Sequence, residues 1–419
     1  MKTVGLLLSV SPTEDSPNIP PQQSYMAEYL LSPFYDWIVL YYPKTWTPNK
    51  VTLFGIFSTL LASLLLLTGM PSTTTFDPPY ATYVPTSLLQ NKEMKSERNI
   101  APSPLHPTAL KPLWSSVFPS GNVMLFVCGI LNFIYCIADN TDGRLARRLK
   151  KTSEIGEYLD HGLDCVTSLL STCVSMAVIG LSFSNIAVTV LPIAIGTVFS
   201  HTLHYEKNIF IWGNRFISVD EAMIFFAISN WVIIVLPQIG TTTVSSAILH
   251  MFLSEEWAQM LHSLRYIDLA LLVYWISQLS VIIGIVLKDG KMLFRLTTIT
   301  LFINTFLLVG IIPAHMNHMA TGSVGGYAWG PFSYVAVWCI TAACTSSTVV
   351  HILIYARCMR LPHVDLWPIA GIVFVWLIFT SCPVGGMVLS VAWHLAQILI
   401  NVQGLIKNGR KTSQKSKIA

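Results

Sequence analysis

Four aspartates fall within a 26-residue segment of the chain: Asp139, Asp142, Asp160 and Asp164. They stand between apolar stretches that have the character of membrane spans. An ionised side chain at membrane depth costs about 2.5–3.5 kcal/mol even on the lenient insertion scales. Hard divalent cations take oxygen ligands and relieve the mutual repulsion of clustered acids. The segment therefore predicts a divalent metal site inside a membrane protein.

The spacing of the four acids predicts how they meet. Asp139 and Asp142 are three residues apart and share one face of a helix, and Asp160 and Asp164, four apart, share a face of the next helix. A short basic turn between the two helices can aim all four carboxylates at one point near the cytosolic boundary of the membrane. That arrangement can hold one or two divalent ions.

Glycines and an arginine accompany the acids. Gly143 and Gly156 allow a ligand to approach the backbone closely. Arg147 offers a bidentate fork that suits phosphate. The alternative is an interfacial salt-bridge cluster in which Arg144, Arg147 and Arg148 neutralise the aspartates. The complete set of acids, glycines and arginine favours a site for a phosphate ester.

Composition points to a membrane protein. Of the 419 residues, 53% are hydrophobic and only 11% are charged, against about 25% charged in an ordinary soluble domain. The net charge of +4 is too small to imply nucleic-acid binding. The eight cysteines show no metal-ligand spacing, which predicts free thiols. His201 and His204, with Glu206 nearby, lack a third zinc ligand of suitable spacing, so a polar cluster at a helix end is favoured.

Apolar runs near 20 residues predict an all-α polytopic protein with about ten transmembrane helices. The predicted spans are 49–70, 121–141, 156–181, 185–205, 219–239, 265–287, 293–314, 330–355, 364–381 and 384–404. Upstream, Tyr25–Tyr42 is amphipathic and rich in aromatic residues. This pattern predicts an N-terminal interfacial helix that lies along the membrane.

Loop charges predict the topology and the domain organisation. Basic residues cluster after the even-numbered spans, so the positive-inside rule places both termini in the cytosol. The exception, 71–118, is predicted to be a lumenal insertion because of its length and its Pro/Ser/Thr content. We expect an N-terminal cytosolic or interfacial segment at 1–48, one membrane domain at 49–404 and a basic cytosolic tail at 405–419.

The acidic segment follows the pattern D-x2-D-G-x2-A-R-x8-G-x3-D-x3-D. Its fixed positions are Asp139, Asp142, Gly143, Ala146, Arg147, Gly156, Asp160 and Asp164. This pattern resembles the signature of the CDP-alcohol phosphatidyltransferase family. Tyr135, Gly156–Gly162 and Trp46–Thr52 resemble the eukaryotic choline/ethanolamine phosphotransferase branch, which ten spans in a chain of this length also suit. The sharp resemblance covers about 46–56 and 132–166.

The resemblance implies transfer of phosphoethanolamine or phosphocholine from a CDP-alcohol to diacylglycerol, which forms phosphatidylethanolamine or phosphatidylcholine and releases CMP. It implies that the four motif aspartates coordinate two Mg²⁺ or Mn²⁺ ions around the pyrophosphate. It also implies a CDP pocket lined by Gly143, Ala146, Arg147 and Gly156, with Asn49 at the nucleotide. A homodimer in contact with membrane lipids, in the endoplasmic reticulum or Golgi membrane, is expected on the same ground.

Attack by a lipid hydroxyl on phosphorus requires a base. Asp164 is one candidate, but an acid bound to two cations is a poor base because its pKa is pushed down. His161 has an unperturbed pKa near 6.5, and Glu157, at i−4, can orient its imidazole. We expect His161 with Glu157 to act ahead of Asp164. The alternative for His161 is a polar helix residue that only caps or contacts phosphate.

Two other functions compete with this one. In the first, CDP-diacylglycerol is the donor and a soluble alcohol such as inositol attacks it; the flanking resemblance and the ten spans argue against this arrangement. In the second, the chain is an ion-coupled transporter. Transporters place their coupling acids near mid-membrane on broken helices, whereas these acids adjoin a basic cytosolic turn.

Overall fold

The computed structural model describes residues 23–69, 121–179, 181, 183–236, 242–262, 264–291, 304, 334–362, 364 and 368–418. Over these residues the chain is built from helices and loops, which confirms the all-α fold class. The α-helices are α1 (Ser32–Ile38), α2 (Pro48–Gly69), α3 (Gly121–Leu149), α4 (Glu154–Val178), α5 (Phe183–Lys207), α6 (Val219–Val235), α7 (Ser246–Phe252), α8 (Glu255–Met260), α9 (Tyr266–Lys288), α10 (Tyr334–Cys358), α11 (Pro368–Ser381) and α12 (Pro383–Ile418).

Seven of the described helices are long and apolar enough to cross a membrane: α2, α3, α4, α5, α9, α10 and α12. The chain is thus a multi-pass membrane protein. The predicted spans at 219–239 and 364–381 form shorter helices, α6 of 17 residues and α11 of 14 residues. The predicted span at 293–314, apart from residue 304, and the predicted insertion at 71–118 lie outside the described residues.

The N-terminal segment is helical, as its pattern predicts. A π-helical turn at Ala27–Leu31 leads into α1, and a 3₁₀ turn at Val39–Tyr41 follows it. Tyr29 and Trp37 are 70% and 54% exposed. Such a row of exposed aromatic side chains suits a membrane interface, and the interfacial position stays a prediction.

Close packing of α2 against α3 carries the first half of the acidic motif. Gly55 is the point of nearest approach: a Cβ on it would lie only 2.6 Å from the Cβ of Ala138. The absence of a side chain at Gly55 lets the two backbones come together. Ala138 directly precedes Asp139, so the position of α2 determines where the first acid lies.

A tight turn joins α3 to α4. Lys150 has a positive φ of 53°, and the Lys151 N–H donates to the Ala146 carbonyl at 2.9 Å, which closes the last turn of α3. The Ser153 hydroxyl then accepts a hydrogen bond from the Gly156 N–H at 3.1 Å and caps α4. This short connection returns the chain toward the same region, where both acid-bearing helices pack against α2.

Helix α4 is tied to the C-terminal helices by a buried polar network. The Tyr158 hydroxyl lies 2.9 Å from Nδ1 of His351 on α10, and the Asn401 amide on α12 donates to the same hydroxyl at 3.0 Å. Tyr158 and His351 are fully buried. His351 also packs edge-on against His394, with ring centroids 4.7 Å apart. Buried polar groups joined in this way hold their helices in one relative position.

Candidate active site

Three of the four motif acids converge. Asp139 on α3 and Asp160 and Asp164 on α4 each offer a carboxylate oxygen, and these oxygens lie within 4.8 Å of one another. All three side chains are partly buried. Among the described residues this is the group that could hold a metal ion. The helical spacings therefore bring the acids together as the sequence predicts.

Asp142 stands beside that group and contacts the preceding helix. It is only 3% exposed and accepts a short hydrogen bond from the Thr52 hydroxyl on α2. The Thr52 hydroxyl also lies 3.2 Å from the Pro48 carbonyl. Thr52 therefore fixes one carboxylate oxygen of Asp142, and its role follows from contact between helices far apart in the chain.

Other hydroxyls hold the acidic helices in place. The Tyr135 hydroxyl donates to Oδ1 of Asp164 at 3.1 Å and lies 3.0 Å from the Thr167 hydroxyl. On the N-terminal side, the Tyr42 hydroxyl is 2.7 Å from the Thr141 hydroxyl. Burial raises the pKa of the Tyr42 phenol above its ordinary value of 10.0, and the Thr141 hydrogen bond opposes that shift. Tyr42 is thus a neutral partner at the working pH.

The donor set fits a divalent cation. Its ligands are all carboxylate oxygens, which Mg²⁺ and Mn²⁺ accept. Asp139, Asp160 and Asp164 lie close enough to share one ion or to flank two, and Asp142 stands next to them. Four negative groups at such short range repel one another in a partly buried place, and a cation removes that repulsion. The cluster is a candidate metal centre.

The residues expected at the nucleotide form two neighbouring pairs. A Cβ on Gly156 would lie 3.2 Å from Oδ1 of Asn49, so the first turns of α2 and α4 meet there. A Cβ on Gly143 would lie 3.5 Å from an Nη atom of Arg147. Ala146 lies in the last turn of α3, and Arg147 is exposed. Gly143 directly follows Asp142, and Gly156 stands one helical turn before Asp160.

His161 lies in a cluster of rings. Its imidazole centroid is 5.0 Å from that of Phe210, 5.9 Å from that of His201 and 6.4 Å from that of His204. Phe210 belongs to the loop between α5 and α6 and touches all three histidines. His201 and His204, set aside as zinc ligands, thus pack beside the candidate base.

The partner of Glu157 differs from the expectation. Its carboxylate forms an ion pair with Arg357 on α10 and is not hydrogen-bonded to His161. The i−4 spacing allowed a contact with His161, but a guanidinium on another helix gives the carboxylate a stronger partner. In the structure Glu157 therefore pairs with Arg357 and does not orient the His161 imidazole.

A cavity with a volume of about 420 Å³ opens beside the acids. Asp139, Asp160, Asp164 and His161 line one part of it. The lining continues along α5, which contributes Thr197, along α9, which contributes Gln278, and along α6. The carboxylates and His161 thus share one cavity with side chains of α5, α6 and α9.

Several residues in or beside this cavity were not singled out as functional from the sequence. They are Thr52, beside Asp142; Phe210 and Trp212 of the α5–α6 loop; and Asp220 at the start of α6. Thr52 stands within the Trp46–Thr52 stretch that resembles the phosphotransferases, which was its one available signal. The others reach the cavity through tertiary packing alone.

Comparison with known families agrees with this site. Residues 109–286 match the model of the CDP-alcohol phosphatidyltransferase family. The chain carries a CDP-alcohol phosphatidyltransferase domain. This domain contains the four motif aspartates and His161, whereas Asn49 and Thr52 precede it and α10 to α12 follow it.

The relatives of the CDP-alcohol phosphatidyltransferase domain belong to the predicted branch. The chain is 29% identical to ethanolaminephosphotransferase 1 of Mus musculus over 181 residues. This aligned region is 43% of this chain and 36% of that protein. The chain is 30% identical over 149 residues to choline/ethanolaminephosphotransferase 2 of Arabidopsis thaliana, 36% of this chain and 27% of that protein. For cholinephosphotransferase 1 of Rattus norvegicus the identity is 27% over 136 residues, 32% of this chain and 23% of the relative. The chain thus aligns with about a third or less of each relative's length.

Proposed function

We propose that this protein transfers phosphoethanolamine or phosphocholine from a CDP-alcohol to diacylglycerol and releases CMP. The observation that carries the proposal is the convergence of Asp139, Asp160 and Asp164 beside a cavity in a membrane-embedded domain of this family. The sequence resemblance and the relatives named above favour an amino-alcohol headgroup.

The donor would be held by its phosphates. Asp139, Asp142, Asp160 and Asp164 would hold two Mg²⁺ or Mn²⁺ ions. Bound there, the ions would neutralise the pyrophosphate and stabilise the charge that develops on the leaving CMP. Arg147 would add a bidentate contact to a phosphate, since its guanidinium is exposed beside Gly143.

The nucleotide would lie against the first turns of α2 and α4. Asn49 and Gly156 meet there, so the amide can contact the base or the ribose while the glycine leaves room for it. Gly143 and Ala146 present small surfaces on the neighbouring turn of α3. Small side chains next to a cluster of charge allow a ligand to approach closely.

His161 would accept the proton of the lipid hydroxyl. Its imidazole shares the cavity with Asp160 and Asp164, and Phe210 packs against its ring. Asp164 already accepts a hydrogen bond from Tyr135 and would be bound to metal, which makes it the weaker base. A ring nitrogen of His161 would take the proton as the hydroxyl oxygen bonds to phosphorus.

The proposed setting is a membrane whose cytosolic face carries the site. Basic residues follow the even-numbered predicted spans, a pattern that predicts cytosolic termini. A water-soluble CDP-alcohol and a lipid acceptor then meet at one membrane edge. We further propose residence in the endoplasmic reticulum or Golgi membrane, a homodimer, and contact with surrounding lipids.

The decisive experiment supplies diacylglycerol and Mg²⁺ to the purified protein, with CDP-ethanolamine and CDP-choline in separate reactions. CMP release and lipid product are measured. Product with either donor, lost on chelation and restored by Mg²⁺ or Mn²⁺, is expected. Turnover of CDP-diacylglycerol in place of both donors would contradict the proposed reaction while leaving the metal site intact.

A variant links this activity to the acids. Asp160→Asn should lower turnover by more than about 100-fold, because even outer partners of a metal ligand contribute about 10–100-fold. Its thermal unfolding should match that of the unchanged protein. Asp268→Asn is the matched control, since Asp268 pairs with Arg265 at the start of α9 and does not line the cavity. Retained turnover in Asp160→Asn would refute the metal assignment.

A further inference from the structure

One carboxylate on the cavity wall lies outside the acidic motif. Asp220 is in the first turn of α6, and its side chain lines the cavity together with Asp139, Asn140 and Arg144. The other cavity-lining carboxylates among the described residues are the four motif aspartates. Asp220 is therefore the cavity-lining carboxylate that has no part in the proposed metal site.

Asp220 and its neighbour Glu221 differ sharply in their surroundings. Glu221 accepts from the Ser218 N–H at 2.7 Å and from the Ser218 and Ser24 hydroxyls. Over the part of the chain that the structure describes, the Asp220 carboxylate takes part in no hydrogen bond or ion pair. An ionised group that is partly buried without a partner is costly, so this carboxylate is suited to a cationic ligand.

Arg144, the protein cation whose charge acts on Asp220, is held by other partners. The Arg144 guanidinium bonds to Asp36 at 2.5 Å, to the Ser32 hydroxyl at 2.9 Å and to the Asn140 carbonyl at 3.1 Å. Arg144 acts on Asp220 through its charge, not through a direct bond. A ligand cation that enters the cavity can therefore reach the Asp220 oxygens.

The proposed donor supplies such a cation, and this inference rests on the proposed function. Its pyrophosphate would occupy the metal site, and its amino-alcohol carries a positive nitrogen a few bonds from the reacting phosphorus. We propose that Asp220 binds this ammonium group and selects donors with a positively charged headgroup. The carboxylate lines the same cavity as Asp139, so the two ends of one ligand can meet both groups.

The chemistry also predicts a preference between headgroups. A primary ammonium has N–H donors that form charge-assisted hydrogen bonds with a carboxylate. A quaternary ammonium has no N–H and interacts through its charge alone. Asp220 should therefore contribute more to binding of CDP-ethanolamine than of CDP-choline, and it should contribute nothing to a neutral headgroup.

The test compares donors that differ only in headgroup charge. Binding of CDP-ethanolamine, CDP-choline and CDP-ethylene glycol to the purified full chain is measured in Mg²⁺, together with turnover. The unchanged protein should bind CDP-ethanolamine roughly 10- to 100-fold more tightly than CDP-ethylene glycol, the range of a charge-assisted hydrogen bond. Asp220→Asn should abolish that difference and leave CDP-ethylene glycol binding unchanged. Asp220→Glu should retain part of it.

Asp36→Asn is the matched control, because Asp36 bonds to Arg144 directly and does not line the cavity. It should keep the full discrimination. Equal loss in Asp36→Asn and Asp220→Asn would overturn the inference, since Asp220 would then act through Arg144. If the unchanged protein bound charged and neutral donors equally and converted both, the role of Asp220 would be refuted and the proposed function would stand. A raised Mg²⁺ requirement with CDP-ethylene glycol in Asp220→Asn would make Asp220 a metal ligand instead. If the folded protein neither binds nor converts any donor, both proposals fall.

Discussion

Substituting Gly55 tests whether the α2–α3 approach sets the geometry of the acids. An alanine Cβ at this position would lie 2.6 Å from the Cβ of Ala138, whereas carbon atoms in contact are about 3.5–4.0 Å apart. The obstructing atom is fixed to a helix backbone and cannot rotate away. The two helices must therefore separate locally by about 1 Å to restore ordinary contact.

The expected consequence is larger for activity than for stability. Overpacking costs about 1–3 kcal/mol, and the better helix propensity of alanine returns about 1 kcal/mol. Ala138 directly precedes Asp139, so the displacement moves a predicted metal ligand. A 1 Å error at a reacting centre lowers the rate by about 100-fold. We expect Gly55→Ala to lose most of its turnover in the CMP-release assay while unfolding at a similar temperature.

Two further variants make the test decisive. Ala138→Gly removes the opposing Cβ, so the double variant Gly55→Ala/Ala138→Gly should regain much of the lost activity. Gly284→Ala on α9 is the matched control, because a Cβ there meets nothing within 4 Å, and its activity should be unchanged. Full turnover in Gly55→Ala, or a double variant no better than the single one, would show that this contact does not position Asp139.

Two other contacts give separate predictions. Thr52→Val removes the hydroxyl that bonds to Asp142. It should lower turnover by about 10–100-fold and raise the Mg²⁺ concentration that activity requires. Thr52→Ser keeps the hydroxyl and should retain activity, so equal activity in the two variants would argue against a role for this bond. Glu157→Gln weakens the ion pair with Arg357, whose side chains are 32% and 24% exposed, so the loss of stability should stay within about 1 kcal/mol. Its pH–rate profile should be unchanged, whereas His161→Ala should abolish turnover; a shifted profile in Glu157→Gln would restore the predicted link to His161.

Local spacing accounts for the part of the site that the sequence predicts correctly. Asp139, Asp160 and Asp164 lie on two consecutive helices, so helical periodicity and a short turn predict that they meet. The packing of both helices against α2 and α6, which the spacing does not specify, holds them there. The apolar runs also predict where most helices lie, because membrane thickness sets their length. The helices described within the runs at 219–239 and 364–381, α6 and α11, have 17 and 14 residues, and those two spans stay predictions.

Contacts between distant parts of the chain account for what was missed. Thr52 reaches Asp142 across 90 residues, and Phe210 reaches His161 from a loop that carries no motif. Glu157 shows the limit of local spacing: it shares a helix face with His161, but Arg357, 200 residues further on, is its partner. Only the packing of helices decides such pairs, and one sequence does not specify that packing.

The network around Tyr158 bears on how this protein can be divided. The family match ends at residue 286. The two hydrogen-bond partners of Tyr158 lie far beyond that boundary, at His351 and Asn401. A shortened chain cut at the match would keep every predicted metal ligand and leave the Tyr158 hydroxyl without either partner. The helices α10 and α12 therefore complete the hydrogen bonding of α4 and belong to the same folded unit. Transferring α4 into a relative would then require exchanging α10 and α12 with it.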